Sequence, residues 1–149
     1  MTEPARPLSV RKQDTLRRLR DDVDLWVATA SADGTPYLMP LSFLWDDKTL
    51  LLSTAGSNPT ARNLRANPTL QLTLGHTRDV VHIEATAETL QPDEISESEG
   101  DAFAEKAGFD PRPLPGYLFF RVTPTKIQAW REVNELKDRV LLRDGAWLV

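Results

Sequence analysis

Ser53-Thr54-Ala55-Gly56-Ser57-Asn58-Pro59-Thr60-Ala61-Arg62-Asn63-Leu64 is the stretch on which the reading of this chain turns. It follows an aliphatic run, Thr49 to Leu52, and passes through small hydroxyl residues, a Gly turn and a Pro. The pattern predicts a strand, a tight turn, and a short helix from Pro59 to Ala66 that Asn67-Pro68 stops. Hydroxyls and free backbone N–H groups at a helix N-terminus, with a guanidinium beside them, make a seat for a phosphate. The same residues also make an ordinary capped helix after a strand.

Working outward, the flanks read as strands. Leu25 to Ala30, Tyr37 to Trp45 and Thr49 to Thr54 form a meander, joined by turns at Asp33-Gly34 and Asp46-Asp47-Lys48. Thr69 to Leu74 and Asp79 to Leu90 follow. In the latter, Val81, Ile83, Ala85 and Ala87 share one face, and His82, Glu84, Thr86 and Glu88 form a wet one. Residues 91–116 read as an acidic helical insertion closed by Gly108, then a proline-rich loop. Tyr117 to Trp130 returns to strand, with Pro124 at an edge or bulge. Asp144-Gly145 joins Val140–Arg143 to Trp147–Val149. Upstream, residues 1–8 read as a loose, proline-containing arm. Beyond it a basic helix capped by Ser9 carries Arg11, Lys12, Arg17, Arg18 and Arg20 around a stripe of Val10, Leu16 and Leu19. That basic face is either solvated or a bed for an anionic ligand tail. Six or seven strands with short helices between them predict a small barrel in one domain spanning 1–149.

The bulk numbers exclude several functions. A net charge of −4 over 149 residues speaks against general nucleic-acid binding. No apolar run is long enough for a membrane span, and Met1 to Arg20 has no secretory core, so a cytoplasmic location is expected. The absence of cysteine removes thiol catalysis, disulfides and thiolate metal sites. The two histidines, His76 and His82, do not assemble a metal set, and His82 with Glu84 lacks a third ligand. No nucleophile elbow, dinucleotide fingerprint or Walker loop is present. An enzyme with such thin side-chain chemistry would rely on a bound cofactor.

The order of the meander, S-T-x-G-S-x-x-T-A-R-N-L, the N-P stop and T-R-D-V-V-x-I-E resembles the pyridoxamine 5'-phosphate oxidase-like split-barrel superfamily. The likeness runs over Val23 to Leu90, with A-W-R-E and R-D-G-x-W added near the C-terminal side. It is closest to the flavin/deazaflavin oxidoreductase branch. The resemblance implies a mainly β fold: a six-stranded antiparallel split β-barrel, FMN-binding-like, with short flanking helices. It further implies a homodimer with F420 or FMN between subunits and hydride transfer to a small conjugated acceptor. By the resemblance, Met39, Pro40 and Leu41 run along the ring. Ser53 and Thr54 hold the ribityl or phosphate region, and Thr60, Arg62 and Asn63 seat the phosphate. Arg78 and Asp79 lie near ring or tail, and Trp130 and Arg131 close the groove from the second subunit. The chain departs from the oxidase proper, which has an Arg-Lys pair where Pro59-Thr60 stand, a lysine near Phe43 and a glutamine near Val80. Those departures speak against true oxidase activity and tight FMN binding, and T-A-R-N-L resembles the F420-binding branch better. The alternatives are a non-catalytic flavin, deazaflavin or haem carrier, and a cofactor-free interaction protein. Local support for dimerisation is the Trp-containing C-terminal strand region.

Overall fold

The computed structural model describes residues 3–149. Helix α1 (Leu8–Asp21) leads into β1 (Asp24–Ala30), β2 (Pro36–Trp45) and β3 (Leu50–Ala55). Helix α2 (Pro59–Ala66) precedes β4 (Thr69–Thr73) and β5 (Val80–Leu90). Helix α3 (Glu97–Ala107), β6 (Tyr117–Trp130), β7 (Val140–Arg143) and β8 (Ala146–Trp147) complete the order. Sheet order is β3-β2-β1-β4-β5-β6, and a further antiparallel pairing of β3 with β6 closes the ring into the six-stranded barrel that the sequence predicts. The hairpin β7–β8 continues outside it from β6.

Closure leaves the barrel with two ends. At one lie the β1–β2 turn, the end of β3, α2 and the 91–116 insertion; at the other lie α1, the β4–β5 turn and residues 131–139. Inward residues of the strands, among them Val27, Phe43, Leu52, Leu72, Ile83 and Phe120, form one core, into which α2 sends Ala61 and Leu64. Helix α3 covers a second, smaller cluster on the outside with Phe103 against Leu51 and Phe119. Its N-cap Ser96 accepts from the Glu99 N–H, and Gly108 ends it at φ 81°. The β5–β6 register shifts between Glu84 and Ala85, which pair with Lys126 and Pro124, so the proline sits at a bulge as expected. No described helix is long and apolar enough to cross a membrane.

Three local expectations need correction. Helix α1 begins at Leu8 with Pro7 as its N-cap, so Ser9 lies within the helix and caps nothing; the fixed φ of proline suits that entry. The arm expected to be loose over residues 1–8 is tied down where it is described, residues 1 and 2 lying outside the described range. Arg6 binds Glu135 through Nη2 at 2.7 Å, and Nε and its backbone N at 2.9 Å each, and Asp14 through Nη1 at 3.0 Å. The last strand is Ala146–Trp147 and stops short of Val149.

Candidate functional site

The α2 end of the barrel contains an opening that the strand pattern creates. Strand β2 is paired with β1 along Pro36 to Ser42, but with β3 only over Phe43 to Trp45. Beyond Leu52, β3 turns to pair with β6 alone. The opposite edge of β2 from Pro36 to Ser42 is therefore unpaired. Phe43 N–H donates to the Val23 carbonyl on the β1 side, at 3.0 Å. By the alternation of an antiparallel strand, Leu38, Pro40 and Ser42 then direct their backbone groups to the open side. Pro40 has no N–H to offer, so a carbonyl stands alone there.

Helix α2 overlooks the opening. Its N-cap, Asn58, makes no side-chain capping bond, because Asn58 Nδ2 donates to Thr54 Oγ1 at 2.9 Å. Pro59 fills the first position, and the Arg62 N–H is the first to return to the Asn58 carbonyl. The N–H groups of Thr60 and Ala61 are thus without an intrahelical partner, the usual state of a first turn. Arg62 is exposed and, among the described residues, has neither an ion-pair nor a hydrogen-bond partner. Asn63 is half-buried and donates to Thr29 Oγ1 at 3.0 Å, which ties α2 to β1. Arg65 reaches back to the Gly56 carbonyl and stiffens the turn. Gly56 has to be small, since a Cβ there would stand 3.1 Å from the Gly116 carbonyl oxygen.

Met39, Pro40, Leu41, Ser53, Thr54, Thr60, Arg62 and Asn63 accordingly lie on the three elements around this end of the barrel. Met39 and Pro40 are exposed and Leu41 is half-buried against the core. The hydroxyls of Ser53 and Thr54 are engaged inside the fold: Ser53 Oγ donates to the Leu118 carbonyl at 2.8 Å, and both residues are buried. Alternation along a strand end did not reveal that inward turn. Thr29 and Asn58, which fix Asn63 and Thr54, were absent from the sequence-based set; the signal was Asn58 directly before a helix-starting proline.

Arg78, Asp79, Trp130 and Arg131 stand elsewhere. They occupy the other end of the same barrel, separated from α2 by the five residues of β4, about 17 Å of extended chain. Arg78 pairs with Glu132, with contacts of 2.8 and 2.9 Å. Asp79 pairs with Arg18 at 3.3 Å and Arg131 at 3.4 Å, and Trp130 lies under the Arg139 guanidinium. One chain does not bring the two groups together.

Most of the basic residues of α1 are engaged inside the fold, while Arg20 is exposed and has no partner among the described residues. Arg11 is buried and donates to the Glu135 carbonyl at 3.0 Å, and Arg18 holds the carbonyls of Asp79 and Gly75. Lys12 donates to the Val149 carbonyl, and Arg17 pairs with Asp14. Glu135, at the centre of this cluster, is 2% exposed, and its hydrogen bonds from Arg6 lower its carboxyl to about 2. His82 shares a hydrogen bond with Gln71, and among the described residues no His, Asp or Glu group is arranged to hold a metal.

A closed six-stranded split barrel with an unpaired strand edge beside a helix N-terminus defines a class of small β proteins. Residues 16–131 match the sequence model of pyridoxamine 5'-phosphate oxidase, and the chain belongs to that family. Solved structures of the same fold include an F420 reductase, 18% identical, with 74% of this chain and 93% of that one covered at a TM-score of 0.62. A putative pyridoxamine 5'-phosphate oxidase from Listeria innocua is 20% identical, covering 81% and 98% at a TM-score of 0.65. HutZ, the heme storage protein from Vibrio cholerae, is 20% identical, covering 76% and 90% at a TM-score of 0.60. At these identities the likeness establishes the fold. No protein of curated function matches the sequence.

Proposed function

We propose that the protein is an F420- or FMN-dependent oxidoreductase, F420 favoured, that passes a hydride to a small conjugated acceptor such as a quinone, an enone or a tetrapyrrole. The observation that carries this reading is the α2 end of the barrel, which combines an unpaired β2 edge, two α2 N–H groups without an intrahelical partner and the exposed, unpartnered Arg62. These residues fit a phosphate joined to a planar polar ring. The helix N-terminus and guanidinium take the anion, and the β2 edge takes the ring's amide-like rim. The departures at Pro59-Thr60, Phe43 and Val80 weaken the case for FMN, and the likeness of Thr60-Ala61-Arg62-Asn63-Leu64 to the F420-binding branch favours the deazaflavin. The cofactor, when bound, supplies the hydride. The chain's own part is to bind, orient and exclude water, with Tyr37 Oη, half-buried on β2, as the candidate donor to an acceptor oxygen.

A homodimer belongs to this reading. Arg78, Asp79, Trp130 and Arg131 lie a barrel's length from the α2 end, so only a second copy can bring them to the groove. The outer face of β1 and β2 is apolar enough to receive it: Trp26 is 44% exposed and Leu38 57%, with Pro40 directly opposite Trp26.

Titration of the purified protein with FMN and F420, read by Trp quenching, tests the assignment. Arg62→Ala is expected to lower cofactor affinity by about tenfold or more, the loss of one charge-assisted contact. Unchanged affinity in that variant would remove the phosphate seat. A second reading, a haem carrier, is favoured by the likeness to HutZ. It requires a Soret band on incubation with haem and no hydride transfer to quinones or enones.

A further inference from the structure

A hollow of about 430 Å³ lies outside the barrel, away from α2, between β6, the start of α1 and the β7–β8 hairpin. Its polar rim is cationic. Lys126 and Arg143 are direct cross-strand partners on β6 and β7, so two like charges stand opposite one another on one sheet face. Such pairing destabilises a sheet. Arg143 is exposed and has no ion-pair partner among the described residues. Lys126 is answered on its other side by Glu84, its direct cross-strand partner on β5, at 3.7 Å.

A third cation is held in place at the same rim. Arg139 Nε donates to Gln128 Oε1 at 2.8 Å and its guanidinium lies 5.5 Å from the centre of the Trp130 ring. Those two contacts leave its terminal nitrogens without a hydrogen-bond partner among the described residues. Against these three cations the lining contributes one carboxylate side chain, Asp138. The rest of the wall is apolar, chiefly Leu8, Leu136, Val140 and Leu148.

Glu84 offsets Lys126, and the charge of Arg143 and the terminal nitrogens of Arg139 are left without a protein partner among the described residues. We infer that this hollow binds an amphipathic anion, a carboxylate or phosphate head on a short apolar body. The head lies between Lys126, Arg139 and Arg143, and the body lies against Leu136, Val140 and Leu148. The site is independent of the cofactor groove and stands or falls separately from the proposed oxidoreductase activity.

The test uses the full chain with two probes, octanoate and octyl phosphate, followed by amide chemical shifts at low and high salt. At least one probe should bind saturably, lose affinity as salt rises, and move the amides of Val140 to Arg143 and Leu148. The stronger probe identifies the head group. Arg143→Glu turns the repulsive pair into an ion pair, so it should raise the unfolding temperature and weaken binding by about tenfold or more. Arg139→Gln leaves the Lys126–Arg143 pair untouched and should weaken binding without raising stability. The inference is overturned if neither probe binds, if both variants bind as the parent does, or if the shifted amides are those of residues 53–66.

Discussion

Neutralising Glu135 by Glu135→Gln should remove a large, pH-dependent share of the stability. Its carboxylate accepts from Arg6 Nη2, Nε and backbone N and from the Arg131 N–H, with contacts of 2.7 to 2.9 Å, and the side chain is 3% exposed. Arg6 hydrogen bonding first, and then the Arg6 and Arg131 backbone N–H groups, lower the carboxyl from 4.5 to about 2 against the opposing effect of burial. Lowering by that amount corresponds to roughly 3 kcal/mol of stability held by the ionised form. A depressed carboxyl contributes fully above its unfolded value and loses its contribution as pH falls towards its folded one. The gap between parent and variant should therefore be about 3 kcal/mol at pH 7, and should close between about pH 5 and pH 2. For a chain of this size it corresponds to about 6–12 °C in unfolding temperature at neutral pH. Urea unfolding of both proteins at steps from pH 7 to pH 3 measures it. Asp46 and Asp110 are also lowered by their hydrogen-bond donors, but they titrate in both proteins and cancel in the difference. A gap below about 1 kcal/mol at pH 7, or one that does not change with pH, would refute the reasoning.

Other outcomes can be checked more briefly. On the proposed dimer, Leu38→Glu places a charge on the exposed β1–β2 face, and light scattering should show a dimer for the parent and a monomer for the variant. Ser96→Ala removes the acceptor for the Glu99 N–H and should cost about 1 kcal/mol in urea unfolding, with α3 fraying first by hydrogen exchange. Gly108→Ala forces a Cβ onto a φ of 81° and should cost about 1 kcal/mol, although nothing lies within 4 Å to obstruct it.

Local chemistry made much of the fold legible. Alternation in Val81, Ile83 and Ala85, the Pro59 start and Asn67-Pro68 stop of α2, and Gly108 as a helix end are each decided within a few residues, and the structure has them where the sequence predicts them. What escaped depends on partners far along the chain. Arg11 and Arg18 look like a solvated basic face until Glu135, Gly75 and Asp79 are brought to them by barrel closure. The inward turn of Ser53 needs Leu118 on β6, which no local pattern supplies. The strand, turn and helix that carry Thr54, Thr60, Arg62 and Asn63 were legible because they are consecutive in the chain. Arg78, Asp79, Trp130 and Arg131 stand at the far end of the barrel, a placement set by strand pairing and not by any local pattern.

The Arg6–Glu135 contact joins residues 129 positions apart, and β3 closes the barrel only by finding β6. During synthesis the first six strands therefore cannot settle into a ring until β6 has left the ribosome, and the arm has only Asp14 to grip until Glu135 follows. At roughly 5–20 residues per second, the meander waits several seconds with the unmatched edge of β3 uncovered. In this protein the earliest segment made is among the last to find its place, and that interval is when a chaperone would have most to shield.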